Sequence, residues 1–565
     1  MEVYDFIVVG AGPAGCALTA RLARSPARPK VLLIEAGGHD ENKANRVHGD
    51  RWLHRTKPSR AWGYETVPQT HLGNRRIPYD RGKGLGGSSL INFSVCQYGS
   101  RDDYDEIAHI VGDDDWKWVK AQERFRQLIT YHPMPPHAPK GYKKYLDPAV
   151  SDHGQNGALH VSVPPVWEKP MIDLIAVWEA AGYNLNKDLN NGEIGLAVSP
   201  WTMFNGYRTT AADLLQDAPC NLTILTDVQV ERILFKDKMT TGVQASSQKY
   251  LASKEVVVCA GALDSPKLLM LSGIGPAQHL QEHKISVIQD LPQVGKGLRD
   301  HYLVSPTWVR AEHTSEYHKY FKSPELQAEA RKQFEKDGTG PVAEMFAGAA
   351  VGFFKHDAVY ASDEFKALPE DTREYLLKPT VPVFEVVLNG IVPEYCEDPL
   401  NSPALANMYV GLLNSQSIGE VILQSSDYRQ PLLYNPKFFS HPFDRRVAIE
   451  ATRAVLEVAE SPAFQKDTVG VLHAPKSKSE EDILDYWRQN ASSMWHMSGT
   501  VKMGREDDPE ACVDNQFRVL GVENLRVADM SVIPIIVNNH TQTTAYQTGM
   551  ILGDKLIKEY RLDSD

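Results

Sequence analysis

Two histidines near the end of the chain, His496 and His540, bracket the stretch richest in groups able to move a proton. An imidazole titrates near neutral pH, so it can take or return a proton under ordinary conditions, and a close pair suits acid/base chemistry. Between them the sequence reads N-L-R-V-A-D-M-S-V-I-P, a strand-like apolar run closed by Pro534, and then N-N-H-T-Q-T-T. A lone histidine is more often a satisfied structural residue. What the pair means depends on what the rest of the chain sets before it.

The first forty residues set a dinucleotide site. Tyr4 to Val9 is a nearly continuous apolar run, as expected of a parallel strand buried on both faces. It leads into Gly10-Ala11-Gly12-Pro13-Ala14-Gly15 and then into A-L-T-A-R-L-A-R, a helical pattern. Lys30-Val31-Leu32-Leu33-Ile34-Glu35-Ala36-Gly37 reads as a second buried strand with an acid at its end. In such a β-α-β unit Gly10 permits the tight turn, Gly12 lets backbone approach a pyrophosphate, and Gly15 lets helix pack on strand. The helix N-terminus faces the phosphates, and Glu35 stands where a carboxylate accepts ribose hydroxyls. The acid favours an unphosphorylated ribose, hence FAD or NAD rather than NADP; the fingerprint alone does not choose between them.

Two further glycine-rich stretches stand apart. Arg81 to Asn92 reads R-G-K-G-L-G-G-S-S-L-I-N, a backbone able to lie flat against a large planar ligand, with Leu85, Leu90 and Ile91 as apolar anchors. Val256 to Gly275 reads as a buried strand, a glycine turn, a helix expected to start near Ser265-Pro266, and a glycine stop. Phe384 to Leu388 and Met408 to Leu413 read as antiparallel strands, and Glu316 to Lys336 as a charged helical stretch. Ala343 to Phe354 is apolar and glycine-spaced. No substrate ligand is assigned between residues 302 and 410, which carry no signature.

Gly82 through Asn92 and Gly261 through Gly275 resemble the two signature patterns of the glucose-methanol-choline (GMC) flavin oxidoreductases. The likeness continues through Trp62 in A-W-G-Y-E-T-V-P-Q, Tyr207-Arg208-Thr209, the run Leu225 to Val230, and the block from about Ser415 onward. It implies an α/β fold of α+β character: a Rossmann-like FAD-binding lobe, plus a substrate lobe with a large antiparallel sheet flanked by helices. The implied organisation is residues 1–301 mainly FAD-binding, with a substrate-lobe insertion around 150–200. Residues 302–495 would then be mainly substrate-binding, and 496–565 would return to the FAD lobe with the catalytic pair. FAD would be held by Gly10, Gly12, Pro13, Ala14, Gly15, Glu35, Ala36, Trp62, Leu85, Gly87, Ser89, Asn92, Val230, Asp529 and Thr541. Val230 would meet the adenine end through its backbone, and Asn92 and Asp529 would lie near the flavin.

By the same resemblance, the histidine of H-x-x-G-T, here His496 with Gly499-Thr500, sits over flavin N5, and the second member of the pair is His540. An alcohol releases hydride only as its hydroxyl gives up its proton. The resemblance therefore implies oxidation of a primary or aromatic alcohol, with His496 as base and His540 bonding the substrate oxygen, and with dioxygen or a quinone-type acceptor downstream. Formate or aldehyde oxidation is an alternative, as is a lyase or cyclase of the hydroxynitrile-lyase type that keeps FAD as a structural element. Formate oxidases of the family carry arginine at the second position, which suits a carboxylate through paired contacts; His540 favours an alcohol.

Three departures and positions bear on the site. Where some family members tether FAD through a histidine, this chain has Leu90 and Ile91, so non-covalent FAD is expected. Gly297 stands where the family usually has asparagine, and a looser turn is expected there. His301 and His441 resemble structural histidines.

Composition bounds the rest. The 565 residues, 42% hydrophobic and 23% charged, form two or three lobes of a globular protein. A formal charge of -12 argues against nucleic acid or an anionic membrane as partner. No apolar run approaches the roughly 18 residues that span a bilayer. The six cysteines, Cys396 among them, are scattered without metal spacing, so no metal site is expected. Without a basic leader or signal core after Met1, a cytoplasmic location is expected.

Overall fold

A computed structural model describes residues 2–50, 59–132, 140–149, 152–164, 167, 169–315, 317–344, 350–390 and 401–564. Cys396, Glu316 and part of the Ala343 to Phe354 stretch lie outside the described residues. The Val3–Val9 strand, whose inner residues Phe6 to Val8 are fully buried, is the centre of a seven-stranded sheet. On one side it pairs in parallel with Val31–Ile34, which pairs with Leu222–Leu225. On the other it pairs in parallel with Gln248–Val258. That long strand begins antiparallel to Met239–Ala245, which continues to Val230–Lys236, and ends parallel to Leu525–Val527. The chain thus returns to this sheet just before His540.

The Pro13–Ala23 helix covers the sheet and packs on the C-terminal helix Gln542–Glu559. A Cβ on Gly549 would lie 2.1 Å from the Ala14 carbonyl oxygen, so only glycine permits this helix contact. Arg21 and Asp554 add an ion pair across it.

A second sheet of eight strands is antiparallel throughout. Its order runs Thr468–His473, Thr307–Arg310, Leu405–Leu412, Phe384–Asn389, Ala350–Phe354, Gly195–Val198, with Tyr302–Val304 bridging Leu405–Leu412 to Ser492–Ser493. The strands expected at 384–388 and 408–413 are both present. The charged stretch forms two helices, Tyr317–Lys322 and Pro324–Asp337. The Pro442–Glu460 helix packs on the Leu405–Leu412 strand, and His441 caps its N-terminus by accepting the Phe443 N–H on Nδ1 at 3.2 Å. Among the described residues no helix is long and apolar enough to cross a membrane.

Two expectations are corrected. The helix expected to open near Ser265-Pro266 runs Gly261–Leu271, so Pro266 lies inside it. The earlier start is set by Asp529, whose carboxylate accepts the Gly261 N–H at 2.8 Å and the Ser265 hydroxyl at 2.5 Å, placing an anion at the helix N-terminus. Pro266 has no N–H to give the carbonyl four residues back, that of Ala262. The Thr500 hydroxyl donates to that carbonyl instead, at 2.5 Å. Nor is the turn at Gly297 loose. Gly297 (φ +79°) and Gly499 (φ +85°) press together, and a Cβ on either would fall 2.8 or 2.5 Å from the other's carbonyl oxygen. The paired N–H···O bonds between Arg299 and Ser498, both 3.0 Å, follow from that approach.

Replacing Thr500 by valine keeps the shape and removes the donor, stranding the Ala262 carbonyl in the interior. The variant should be less stable by about 1–3 kcal/mol, seen as a lower denaturant midpoint with the slope unchanged.

Candidate active site

A cleft of about 470 Å³ runs between the two sheets from Gly10 and Glu35 to His496 and His540. Its first wall is the turn between the Val3–Val9 strand and its helix. Gly10 has φ +100°, and a Cβ there would lie 2.4 Å from the Cys259 carbonyl oxygen. Gly12 faces open space, with nothing within 4 Å of an added Cβ, while Gly87 backs onto it. Gly12 caps the helix without a side-chain bond, and Pro13 at the first helical position has no N–H. The first-turn amides are therefore open toward the cleft, an arrangement suited to a phosphate anion.

Glu35 lines the cleft but is more engaged than the fingerprint implies. One carboxylate oxygen accepts the Ala11 N–H at 2.8 Å, and the other accepts those of Gly37 at 2.9 Å and Gly84 at 3.1 Å. Burial raises its pKa in spite of these bonds. Four acceptor positions on a carboxylate leave capacity for a hydroxyl. Glu35 thus also ties the fingerprint turn to the glycine-rich loop.

That loop is fastened by Arg208, from the Y-R-T run. Its guanidinium donates to the carbonyls of Ser89 (2.8 Å) and Asn92 (2.6 Å) and to Asn92 Oδ1 (3.0 Å). Asn92 Nδ2 reaches Gln542 at 3.1 Å, joining the first signature to the residues after His540. All the expected cofactor residues line the cleft except Gly15 and Leu85. Gly15 stands behind the turn, where a Cβ would meet the Gly10 carbonyl oxygen at 2.0 Å. Leu85 is buried in the loop, its N–H bonded to the Gly38 carbonyl at 3.1 Å. Both support the cradle from behind.

At the far end His496 and His540 stand with ring centroids 5.0 Å apart. Asp300 anchors the first: one oxygen accepts the His496 backbone N–H at 2.7 Å and the other the Ser493 hydroxyl at 2.5 Å. Burial pushes the Asp300 carboxyl up to about 7. Arg81 grips the Trp495 carbonyl at 2.6 Å, where the backbone takes a left-handed turn (φ +59°). The His496 ring meets His301, Nδ1 to Nδ1, at 3.0 Å. Burial holds His301 down to about 3. His496 is held well below the usual histidine range, first by burial and then by the charges of His540, His301 and Arg81.

His540 is placed by its neighbours. The Asn538 N–H and side-chain amide both donate to Asp103, at 2.7 and 2.9 Å, and the Asn539 amide donates to the Tyr98 carbonyl at 3.0 Å. The His540 ring bonds through Nε2 to Glu385 Oε1 at 2.7 Å. Glu385, on the Phe384–Asn389 strand, is fully buried. Sequence reasoning missed it, although a lone acid within V-F-E-V-V-L is a signal, because only a partner justifies a carboxylate among buried apolar residues. His301, expected to be purely structural, proves to contact the His496 ring. Among the described residues no group of three or more His, Cys, Asp or Glu could hold a metal.

Family models for the two halves of the GMC oxidoreductases match residues 4–303 and 415–549. The chain belongs to the GMC oxidoreductase family. Among its relatives, the dehydrogenase pkfF of Emericella nidulans is 32% identical over 98% of this chain and 93% of its own length. The oxygen-dependent choline dehydrogenase 1 of Chromohalobacter salexigens is 30% identical over 98% and 94%. A formate oxidase structure from Aspergillus oryzae RIB40 superposes with a TM-score of 0.88 at 25% identity, covering 99% of each chain. As a GMC oxidoreductase, this is an FAD-binding enzyme acting on CH–OH groups. The open amides of the Pro13–Ala23 helix, the Gly12 recess and the glycine-rich loop that backs onto it suit that cofactor.

Because a Cβ at Gly12 meets no protein atom, Gly12→Val should fold with an unfolding midpoint near that of the unaltered enzyme, yet purify with little of the yellow flavin absorbance. Gly10→Val should instead lose folded protein.

Proposed function

We propose that this GMC oxidoreductase oxidises a primary or aromatic alcohol to the aldehyde. The observation that carries the reading is the imidazole pair at one end of the FAD cleft, facing a wall of aromatic and apolar groups that includes Phe93, Trp201, Val387 and Tyr409. Bound FAD supplies a hydride acceptor. The chain supplies the rest: the rings of His496 and His540 hold the alcohol oxygen between them, one donating a hydrogen bond and the other removing the proton. The apolar wall excludes water and strengthens both contacts. Electrons then leave to dioxygen or a quinone-type acceptor.

The choice of alcohol over formate rests on charge. A carboxylate substrate would sit beside His540 with the buried Glu385 side chain one imidazole away, whereas an alcohol brings no charge there. Non-covalent FAD follows from the residues before Asn92: Leu90 and Ile91 carry no nucleophile, and Ile91 lines the cleft.

Anaerobic mixing with benzylic and short primary alcohols should bleach the flavin, whereas formate should leave it yellow. A lyase would stay yellow with every alcohol. His496→Ala should bind FAD yet reduce it on the order of 10²–10⁴-fold more slowly, and acid precipitation of the unaltered enzyme should release all the flavin into the supernatant.

A further inference from the structure

The eight-stranded sheet floors the far end of the cleft in rungs. Residues two apart on a strand share a face, and residues opposite one another across a ladder share it too. On the Phe384–Asn389 strand, Glu385, Val387 and Asn389 share one face, and their ladder partners are Gly411, Tyr409 and Asn407. Val387, Asn389 and Tyr409 all line the cleft, so this face is its floor. The floor begins beside the histidine pair, where Glu385 bonds the His540 ring at 2.7 Å. From there it changes character twice. The next rung, Val387 with Tyr409, is apolar and aromatic, and Phe93 and Trp201 share a hydrophobic cluster with Val387.

The last rung is a row of uncharged hydrogen-bonding side chains. Asn389 stands opposite Asn407, and Asn407 opposite Thr307. The Thr307 hydroxyl donates to Asn407 Oδ1 at 2.8 Å, and Asn407 Nδ2 donates to Asn389 Oδ1 at 2.9 Å. Thr307 and Asn407 are fully buried, whereas Asn389 reaches the cleft. Amides buried among apolar strands cost free energy unless they are bonded, and these bonds also hold the Asn389 amide in one orientation. Asn389 lies four residues beyond Glu385, about 13 Å along a strand. At about 1.25 Å of advance per carbon–carbon bond, that span takes roughly nine to eleven bonds.

We infer that the substrate is an elongated alcohol with a neutral hydrogen-bonding group at its far end, recognised by Asn389. Its carbinol meets the histidine pair, and its apolar body lies along Val387 and Tyr409. The inference rests on the alcohol reading for the reacting end, whereas the tail site follows from the sheet alone. Asn389 is a specificity-determining residue and touches no reacting atom. A hydroxyl, carbonyl or amide suits the row. A charged end group would enter apolar surroundings with no opposite charge in the row, which costs more than one hydrogen bond returns. A tail too short to pass the Val387 rung would not reach Asn389.

Anaerobic stopped-flow reduction of the holoenzyme by octan-1-ol and by octane-1,8-diol, whose oxygens are about nine bonds apart, tests this. The diol should reach half-maximal reduction rate at a concentration about 3–10-fold lower, beyond the statistical factor of its two equivalent ends. Butane-1,4-diol should show only that statistical factor over butan-1-ol. In Asn389→Leu the octane pair should also fall to the statistical factor. Asn389→Asp keeps an acceptor for Asn407, so it guards against a variant that fails to fold. There 8-aminooctan-1-ol should gain on octane-1,8-diol by about tenfold or more relative to the unaltered enzyme, through a charge-assisted bond. Equal half-saturation by octan-1-ol and its diol, or a diol advantage unchanged in both variants, would overturn the inference. If no alcohol bleaches the flavin, the alcohol reading falls. Titration of the flavin absorbance with octan-1-ol and octane-1,8-diol then tests the tail site by itself, through the same ratio of dissociation constants.

Discussion

The loop from Trp495 to Thr500 ties the helix beside the cofactor cleft to Asp300 before the second sheet, and the site depends on those bonds. Thr500 satisfies the Ala262 carbonyl left open by Pro266 in the helix beside the cofactor cleft. Gly499 and Gly297 let two backbones meet without side chains between them. Asp300, one residue before His301, takes the His496 N–H. Each bond is buried, so each would cost free energy if broken without water to replace it. His496 is therefore fixed relative to both the cofactor cradle and the second sheet. A ring that must meet a reacting atom within a few tenths of an ångström needs such support.

Different partners then hold two chemically identical rings. Both imidazoles border one cleft, where the His540 ring bonds the buried Glu385 carboxyl group and the His496 ring meets His301. Burial keeps His301 and His496 neutral across the physiological range. Two rings held by different partners can meet one oxygen from two sides.

The parts of this arrangement that rest on local chain geometry were readable in the residues. The fingerprint turn, its flanking strands and both signatures appear where their spacing predicted, because each depends on glycine at fixed offsets from apolar runs. The histidine pair was legible through its resemblance to the family's H-x-x-G-T motif and the run after Pro534. What depended on distant partners was not. The start of the Gly261–Leu271 helix is set by Asp529, more than 250 residues later, and Pro266 alone pointed to a later start. Glu385 stood in a stretch with no motif, and its meaning appears only when the Phe384–Asn389 strand is laid beside the loop after Pro534. Leu85 was expected at the cofactor and lies behind the loop, since a glycine-rich loop shows its backbone to a ligand and turns its apolar anchors inward.

The central claim is that the imidazole pair and the FAD cleft together break an alcohol O–H and the adjacent C–H bond. Stopped-flow reduction of the enzyme-bound flavin by benzylic alcohol deuterated at the carbinol carbon tests it most directly. The account predicts that single-turnover bleaching slows several-fold with the deuterated alcohol, because that C–H bond is broken in the observed step. Bleaching at an equal rate with both alcohols, or no bleaching with either, would contradict it.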